Sequence, residues 1–396
     1  MLAERMKNFA ASPTSTLVTK VSELKAAGKD IISLNVGEPD FDTPAYIKAA
    51  ASQAMEQGFT KYTAVSGIVE LREAIAKKLQ EDNGAAYNAS QISVAAGAKQ
   101  AIFNALMAIV SPEDEVLLPI PCWVSYTELI KIAGGKPVFV NVDEANGFDL
   151  DIEAIKAAIT PKTKGIIICN PNNPTGAVYK EATLRQLADL AVEHDFYIIA
   201  DEIYEKLIYD GEKHFCIASI SEAVKDHTIT INGFSKAYAM TGWRLGYAAA
   251  NAEVIGAINK IQSQTTSSVN SIAQKAGVEA ILGPQKDMED MIAEFAKRRE
   301  YVMSRLSAIE GITCVNPKGA FYVLPDVSAC FGKSINGQII KDDKDFAQLL
   351  LSECLVALVP GEAFYAPGKV RISYSNSMEN LKKALDRIEA FMKALQ

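Results

Sequence analysis

Histidine is scarce, three residues in 396, and no His-Glu-x-x-His segment occurs, which leaves little material for a histidine-built metal centre. The six cysteines never come as close as a Cys-x-x-Cys pair and lie mostly in apolar stretches. Reduced thiols are therefore expected, not a disulfide frame. Positive charge is in deficit, since 40 Lys and Arg against 48 Asp and Glu give a net charge of −8, the wrong balance for binding a phosphate backbone. No apolar run reaches the ~18 residues of a membrane span. Glu4, Arg5 and Lys7 interrupt what would be the apolar core of a leader peptide. No Gly-x-Gly-x-x-Gly follows a strand-like run, which argues against dinucleotide binding. These absences point to a cytoplasmic protein with no metal, no membrane contact and no nucleic-acid partner.

Apolar residues are plentiful at 49%, enough for a large core, and the length suits two domains. Short β-rich runs recur at Ile92–Ala95, Glu115–Leu118, Pro137–Val140, Gly165–Cys169, Tyr197–Ala200, Thr228–Ile231 and Leu245–Ala249, with helical segments such as Lys99–Val110 and Lys180–Glu193 between several of them. That alternation predicts an α/β fold around a largely parallel sheet. Several runs are apolar throughout, as parallel strands covered on both faces should be. Residues 1–28 read as an arm and first helix, 29–283 as a large domain, and 284–396 as a smaller α+β domain opened by a long helix. Thr43 reads as the N-cap of a helix that Pro44 begins and Gly58 follows.

Ligands of such sheets bind beyond the carboxyl ends of the strands. There the sequence places Gly97-Ala98-Lys99, Asn170-Pro-Asn-Asn-Pro-Thr-Gly176, Asp201-Glu-Ile-Tyr204 and Asn232-Gly-Phe-Ser-Lys236. Lys236 offers an amine nucleophile, and Ser235 and Arg244 offer a hydroxyl and a guanidinium to a phosphate. The Gly97 turn into a helix can add backbone N–H groups. Arg371 alternates with Val370 and Ile372 on a strand, so it faces either a structural acid or a bound carboxylate. By residue type alone Asp201 is as readily a helix cap, Asn172-Asn173-Pro174 a turn, Trp123 a core aromatic, Lys99 a helix-surface residue and Lys61-Tyr62-Thr63 an exposed loop.

Taken together, Asn35–Pro44, Lys61–Thr63, Ala96–Gln100, Pro171–Gly176, Asp201–Tyr204, Gly233–Gly246 and Val370–Tyr374 resemble, in order and spacing, the motifs of class I, fold-type I aminotransferases, which use pyridoxal phosphate. The likeness covers nearly the whole chain and is nearest to the bacterial aspartate/prephenate aminotransferase subgroup. It implies a mostly parallel seven-stranded sheet in the large domain and a ping-pong exchange of the L-aspartate amino group with 2-oxoglutarate. Lys236 would hold the cofactor as a Schiff base and shuttle the proton. Asp201 would pair with the pyridine nitrogen, which makes the ring a better electron sink. Tyr204 and Asn173 would bond its phenolic oxygen, and Trp123 would stack on its face. Gly97, Ala98, Lys99, Ser235 and Arg244 would cradle its phosphate, together with Tyr62 of a second copy, so a homodimer is implied. For the substrate, the resemblance assigns Arg371 and Gly37 to the α-carboxylate. Lys99, aided by Ser15 or Thr16, would take the distal carboxylate, and Trp123 and Asn173 would flank the substrate. Prephenate-using relatives often carry a basic residue before the Pro13-Thr14-Ser15-Thr16 segment, where this chain has Ser12. The alternatives are an aminotransferase for prephenate or aromatic substrates and a pyridoxal-phosphate C–S lyase on the same scaffold.

Overall fold

A computed structural model describes residues 3–11 and 13–396. Helices used below are α1 (Pro13–Ala26), α2 (Val69–Asn83), α3 (Ala98–Ile109) and α4 (Lys286–Ser307). The central sheet comprises β1 (Ile92–Ala95), β2 (Glu115–Ile120), β3 (Lys136–Asn141), β4 (Thr163–Cys169), β5 (Tyr197–Asp201), β6 (Thr228–Gly233) and β7 (Gly246–Ala249), in the order β1-β7-β6-β5-β4-β2-β3. Only β7 runs against its neighbours. The other pairings are parallel, as the alternation of elements predicts. β1, β6 and β7 are buried along their whole length, and β4 along its last five residues, because helices cover both faces and leave no solvent side to alternate with.

Beyond α4 lies a three-stranded antiparallel sheet in which Val370–Ser373 runs between Val359–Pro360 and Tyr322–Val323. Ile32 and Ser33 pair in parallel with Val356 and Ala357, which stitches the first strand-like segment to the C-terminal part. One apolar core runs through both regions, from Ile167 and Ile199 to Phe295, Phe321 and Phe346. α4 buries Met288, Met291, Phe295, Val302 and Leu306 at helical spacing. Arg298 and Arg299 are buried with them because each has an acid: Arg298 bonds Asp40 at 2.6 Å, and Arg299 reaches Asp210 and the Pro317 carbonyl. The Asp40 contact ties the segment carrying Gly37 to the helix.

Thr43 does not cap the helix Ala45–Glu56. Pro44 takes the cap position without a side-chain bond, and the Thr43 hydroxyl instead donates to the Ala239 carbonyl and accepts from Trp243 Nε1 at 2.9 Å. The tertiary partner outcompetes the local amide. All six cysteines are free. No helix among the described residues is long and apolar enough to cross a membrane.

Candidate active site

The carboxyl ends of β1, β4, β5 and β6 open onto one cavity of about 590 Å³. α3 begins there. Gly97, at φ +88°, makes the turn, and a Cβ on it would run into the Arg244 guanidinium. β7 presses Gly246 so close that a Cβ would stand 2.5 Å from the Ala98 amide nitrogen. Ala98 and Lys99, whose amides in the first turn of α3 have no carbonyl four residues back, line the cavity together with Ser235 and Arg244. Arg244 is itself in the left-handed region, at φ +55°, and donates to the carbonyls of Thr241 and Ala96.

Lys236 follows β6, and its ammonium donates to the Gly37 carbonyl between the rings of Tyr204 and Phe321. Burial draws this amine down to about 8, against the opposing pull of Glu38 and Asp201. Asp201 closes β5, fully enclosed. Tyr126 donates to its Oδ2 at 2.6 Å and the Ile203 amide to its Oδ1 at 3.2 Å. Burial nevertheless pushes the carboxyl up to about 6, because two hydrogen bonds and the Lys236 charge do not repay the lost water. Tyr204 shares a 2.9 Å hydroxyl contact with Tyr322, and burial raises its phenol well above the usual range. Asn173 lines the cavity, whereas Asn172 turns inward to Tyr179 and Thr175.

Arg371 is 3% exposed and has no acidic partner among the described residues. Its Nη1 donates to Asn173 Oδ1 at 3.0 Å and its Nη2 to the Asn35 carbonyl at 2.9 Å, while Nε has no partner. Tyr322 and Phe364 hold the guanidinium between their rings at 4.4 and 4.8 Å. A buried cation so placed lacks a counter-anion, and the cavity is where one would enter. Lys99 also lines the cavity, its ammonium 4.8 Å from the Trp123 ring, and burial lowers its pKa.

Twelve of the residues named from sequence thus meet at one place or border it: Lys236, Asp201, Tyr204, Asn173, Trp123, Ser235, Arg244, Ala98, Lys99, Gly37 and Arg371 around the cavity, and Gly97 beside the Arg244 guanidinium. Tyr62 is not among them in this single chain; it projects from a loop at 93% exposure. The side chains of Ser15 and Thr16 lie outside the described residues, as does Ser12, although Val18 and Thr19 on the same helix line the cavity. Sequence reasoning missed Tyr126 and Tyr322. Tyr126 lies three residues past Trp123 and Tyr322 within the apolar run 320–324, so neither stands out by type or spacing.

A family model for aminotransferases of class I and II matches residues 29–388. An aspartate aminotransferase of Bacillus sp. (strain YM-2) is 45% identical over 393 residues, covering 99% of each chain. An aspartate/prephenate aminotransferase of Cereibacter sphaeroides is 47% identical over 396 residues, covering 100% of this chain and 99% of the relative. Among solved structures, the aspartate aminotransferase of Rhizobium meliloti superposes with a TM-score of 0.96 at 43% identity over the whole of both chains, and that of Thermus thermophilus with maleate at 0.93 and 44%, over 98% and 99%. A sheet of this topology, ending in a lysine, a buried acid and a helix-borne anion cup, defines a transaminase working with pyridoxal phosphate. The chain belongs to the class I and II aminotransferases. Its residues fit that cofactor on their own geometry. The Arg244 guanidinium and Ser235 hydroxyl at the cavity beside the start of α3 suit a phosphate, and the lowered amine of Lys236 suits an aldehyde.

Proposed function

We propose that this chain transfers the amino group of L-aspartate to 2-oxoglutarate, giving oxaloacetate and L-glutamate reversibly, with Lys236 as the covalent anchor and proton carrier. The observation that supports the reading is that Arg371, buried without an acid, and Lys99 line one cavity besides the Lys236 and Arg244 assigned to the cofactor, since both amino-acid substrates carry two carboxylates. The Thermus thermophilus relative was solved with maleate, itself a dicarboxylate.

The cofactor would be held by Lys236, Asp201, Tyr204, Asn173 and Trp123 at its ring, and by Gly97, Ala98, Lys99, Ser235 and Arg244 at its phosphate. When bound, pyridoxal phosphate supplies a reactive carbonyl carbon and a ring that accepts the electron pair left on the substrate's Cα. Asp201 keeps a negative charge against the ring nitrogen and so favours its protonated form. Lys236 Nζ, with a pKa near 8, is neutral often enough at physiological pH to take the Cα proton and basic enough to hold it. Arg371 and the Gly37 backbone orient the α-carboxylate, the planar fork fixing it through two parallel hydrogen bonds. Lys99 takes the distal carboxylate, with Ser15 and Thr16 beside it.

Two copies are proposed to form the working unit, each lending Tyr62 to the other's phosphate cup; its exposure and that of Met55 on the preceding helix support an interface there. Residues 1–28, 29–283 and 284–396 are proposed as arm, large domain and small domain, the last closing with Arg371 when substrate binds. Six free thiols accord with a cytoplasmic setting.

A donor screen tests the reading. Aspartate and glutamate should exceed aromatic donors in kcat/KM with 2-oxoglutarate or oxaloacetate as acceptor, and prephenate should be a poor acceptor. Lys99→Ala should weaken dicarboxylates selectively and spare monocarboxylic donors; equal losses for both would remove Lys99 from the distal role. Arg371→Ala should cost about 3 kcal/mol of transition-state stabilisation, roughly 100-fold in kcat/KM, for every donor.

A further inference from the structure

One residue beyond Asp201, outside the cavity, a second group of ionisable side chains is buried. Glu202 and Glu205 are 3% and 8% exposed at the side chain, His214 9% and Lys78 10%. The Glu205 carboxylate is met by the Lys78 ammonium and by Asn83 Nδ2 at 2.7 Å, both from α2. Glu202 Oε2 lies 3.1 Å from His214 Nε2, yet off the line of a hydrogen bond, so that Oε2 and both ring nitrogens have no hydrogen-bond partner. One ligand-type atom from each of Glu202, Glu205 and His214 falls within 4.8 Å of the others.

The charges decide what this cluster is. Two carboxylates against one ammonium leave a deficit of one positive charge in a place shielded from water, where an unbalanced charge is costly. The nearby Cys216 thiol and Tyr87 phenol are held neutral by burial, each pushed well up. Lys206 pairs with Asp82 at 2.7 Å in a more exposed position, and Lys225 pairs with Glu222. Thr230, the remaining polar neighbour of Tyr87, carries no charge. One proton must therefore be held between Glu202 and His214, and imidazole is about two pH units more basic than a carboxylate.

We propose that His214 is an imidazolium that completes a buried ion cluster with Glu202, Glu205 and Lys78, and that it acts as a positioning residue, pinning the strand end that presents Asp201 against α2. The electrostatics agree in direction: burial opposes the charged ring, but the Glu202 carboxylate outweighs it and raises His214, while Lys78 and His214 overcome burial to hold Glu205 at about 2. A divalent ion in place of the proton would overshoot the balance by one charge and would have to share Glu205 with Lys78. The proposal gains its catalytic meaning from the reading of Asp201 given above.

With only three histidines in the chain, side-chain ¹⁵N NMR resolves each one, and His214→Gln identifies the signal. The holoenzyme should show His214 doubly protonated at pH 7, with its midpoint raised above that of free imidazole. A neutral tautomer at pH 7 would overturn the proposal, as would one equivalent of tightly held divalent metal released by His214→Gln. H214Q should lower the thermal midpoint at pH 6 more than at pH 9. The double variant E202Q/H214Q should recover more than half of the loss at pH 6 and of any accompanying loss in kcat. A double variant no better than H214Q would reduce His214 to ordinary packing. The protonation state is read without turnover, so an error in the assigned reaction would leave this result standing.

Discussion

Asp201 shows what enclosing a single carboxyl costs. Its carboxyl is enclosed, and burial sets it near 6 where an unfolded chain would hold it at 3.8. Because the folded value is the higher, nothing is lost below pH 3.8. Stability then falls as pH rises toward 6, and the full cost, about 3 kcal/mol, persists above that. Asp201→Asn should remove this cost while giving up a hydrogen bond of about 1 kcal/mol. The cofactor-free variant is expected to be about 2 kcal/mol more stable than the parent at pH 7, about 1 kcal/mol less stable near pH 3.5, where only the hydrogen bond is lost, and devoid of transaminase activity. Urea unfolding at the two pH values measures it, and a variant less stable at pH 7 would contradict the burial argument. Lys236, Asp201 and Arg371 were legible in the sequence because each follows or occupies a strand within a motif of fixed spacing. Tyr126 and Tyr322 were not, for their meaning lies in partners 75 and 118 residues away, Asp201 and Tyr204. A tyrosine in an apolar run carries no local mark of such a partner.

Elements were easier to read than their arrangement. The seven strands emerged from apolar runs, and their limits agree with the structure to within two residues at most ends. The order across the sheet was not legible, since it depends on which crossovers pack best, and Thr43 misled because its hydroxyl prefers a distant carbonyl to the nearby helix amides. The reversed strand matters most here. β7 brings Gly246 against the opening of α3, where any larger residue meets the Ala98 amide and the Gly97 carbonyl carbon. Gly246→Ala should push β7 and α3 apart by a few tenths of an ångström, at a packing cost of about 1–3 kcal/mol. Pyridoxal phosphate affinity, followed by fluorescence titration of the resolved protein, is expected to weaken by at least about tenfold, the equivalent of 1.4 kcal/mol. An unchanged affinity would place the phosphate elsewhere.

At the scale of the whole molecule, the proposed pairing of two chains has a direct test. Lys236→Ala and Tyr62→Ala chains should each have little activity alone. If each site draws Lys236 from one chain and Tyr62 from the other, random re-pairing yields half heterodimers with one intact site, about a quarter of parental activity. Mixing that restores nothing would make Tyr62 an ordinary surface residue. The division of labour within one chain is already visible. The stretch from Phe234 to Leu245 leaves β6 and returns into β7, bearing Lys236 near one end and Arg244 near the other. Both ends are staked to adjoining strands, and the Phe234 amide bonds the Leu245 carbonyl across the gap. Arg371, Val18 and Thr19, which line the same cavity, hang on other parts of the chain. Changes on the first helix and the C-terminal strands can thus reshape the mouth of the cavity without touching the stretch that carries Lys236 and Arg244.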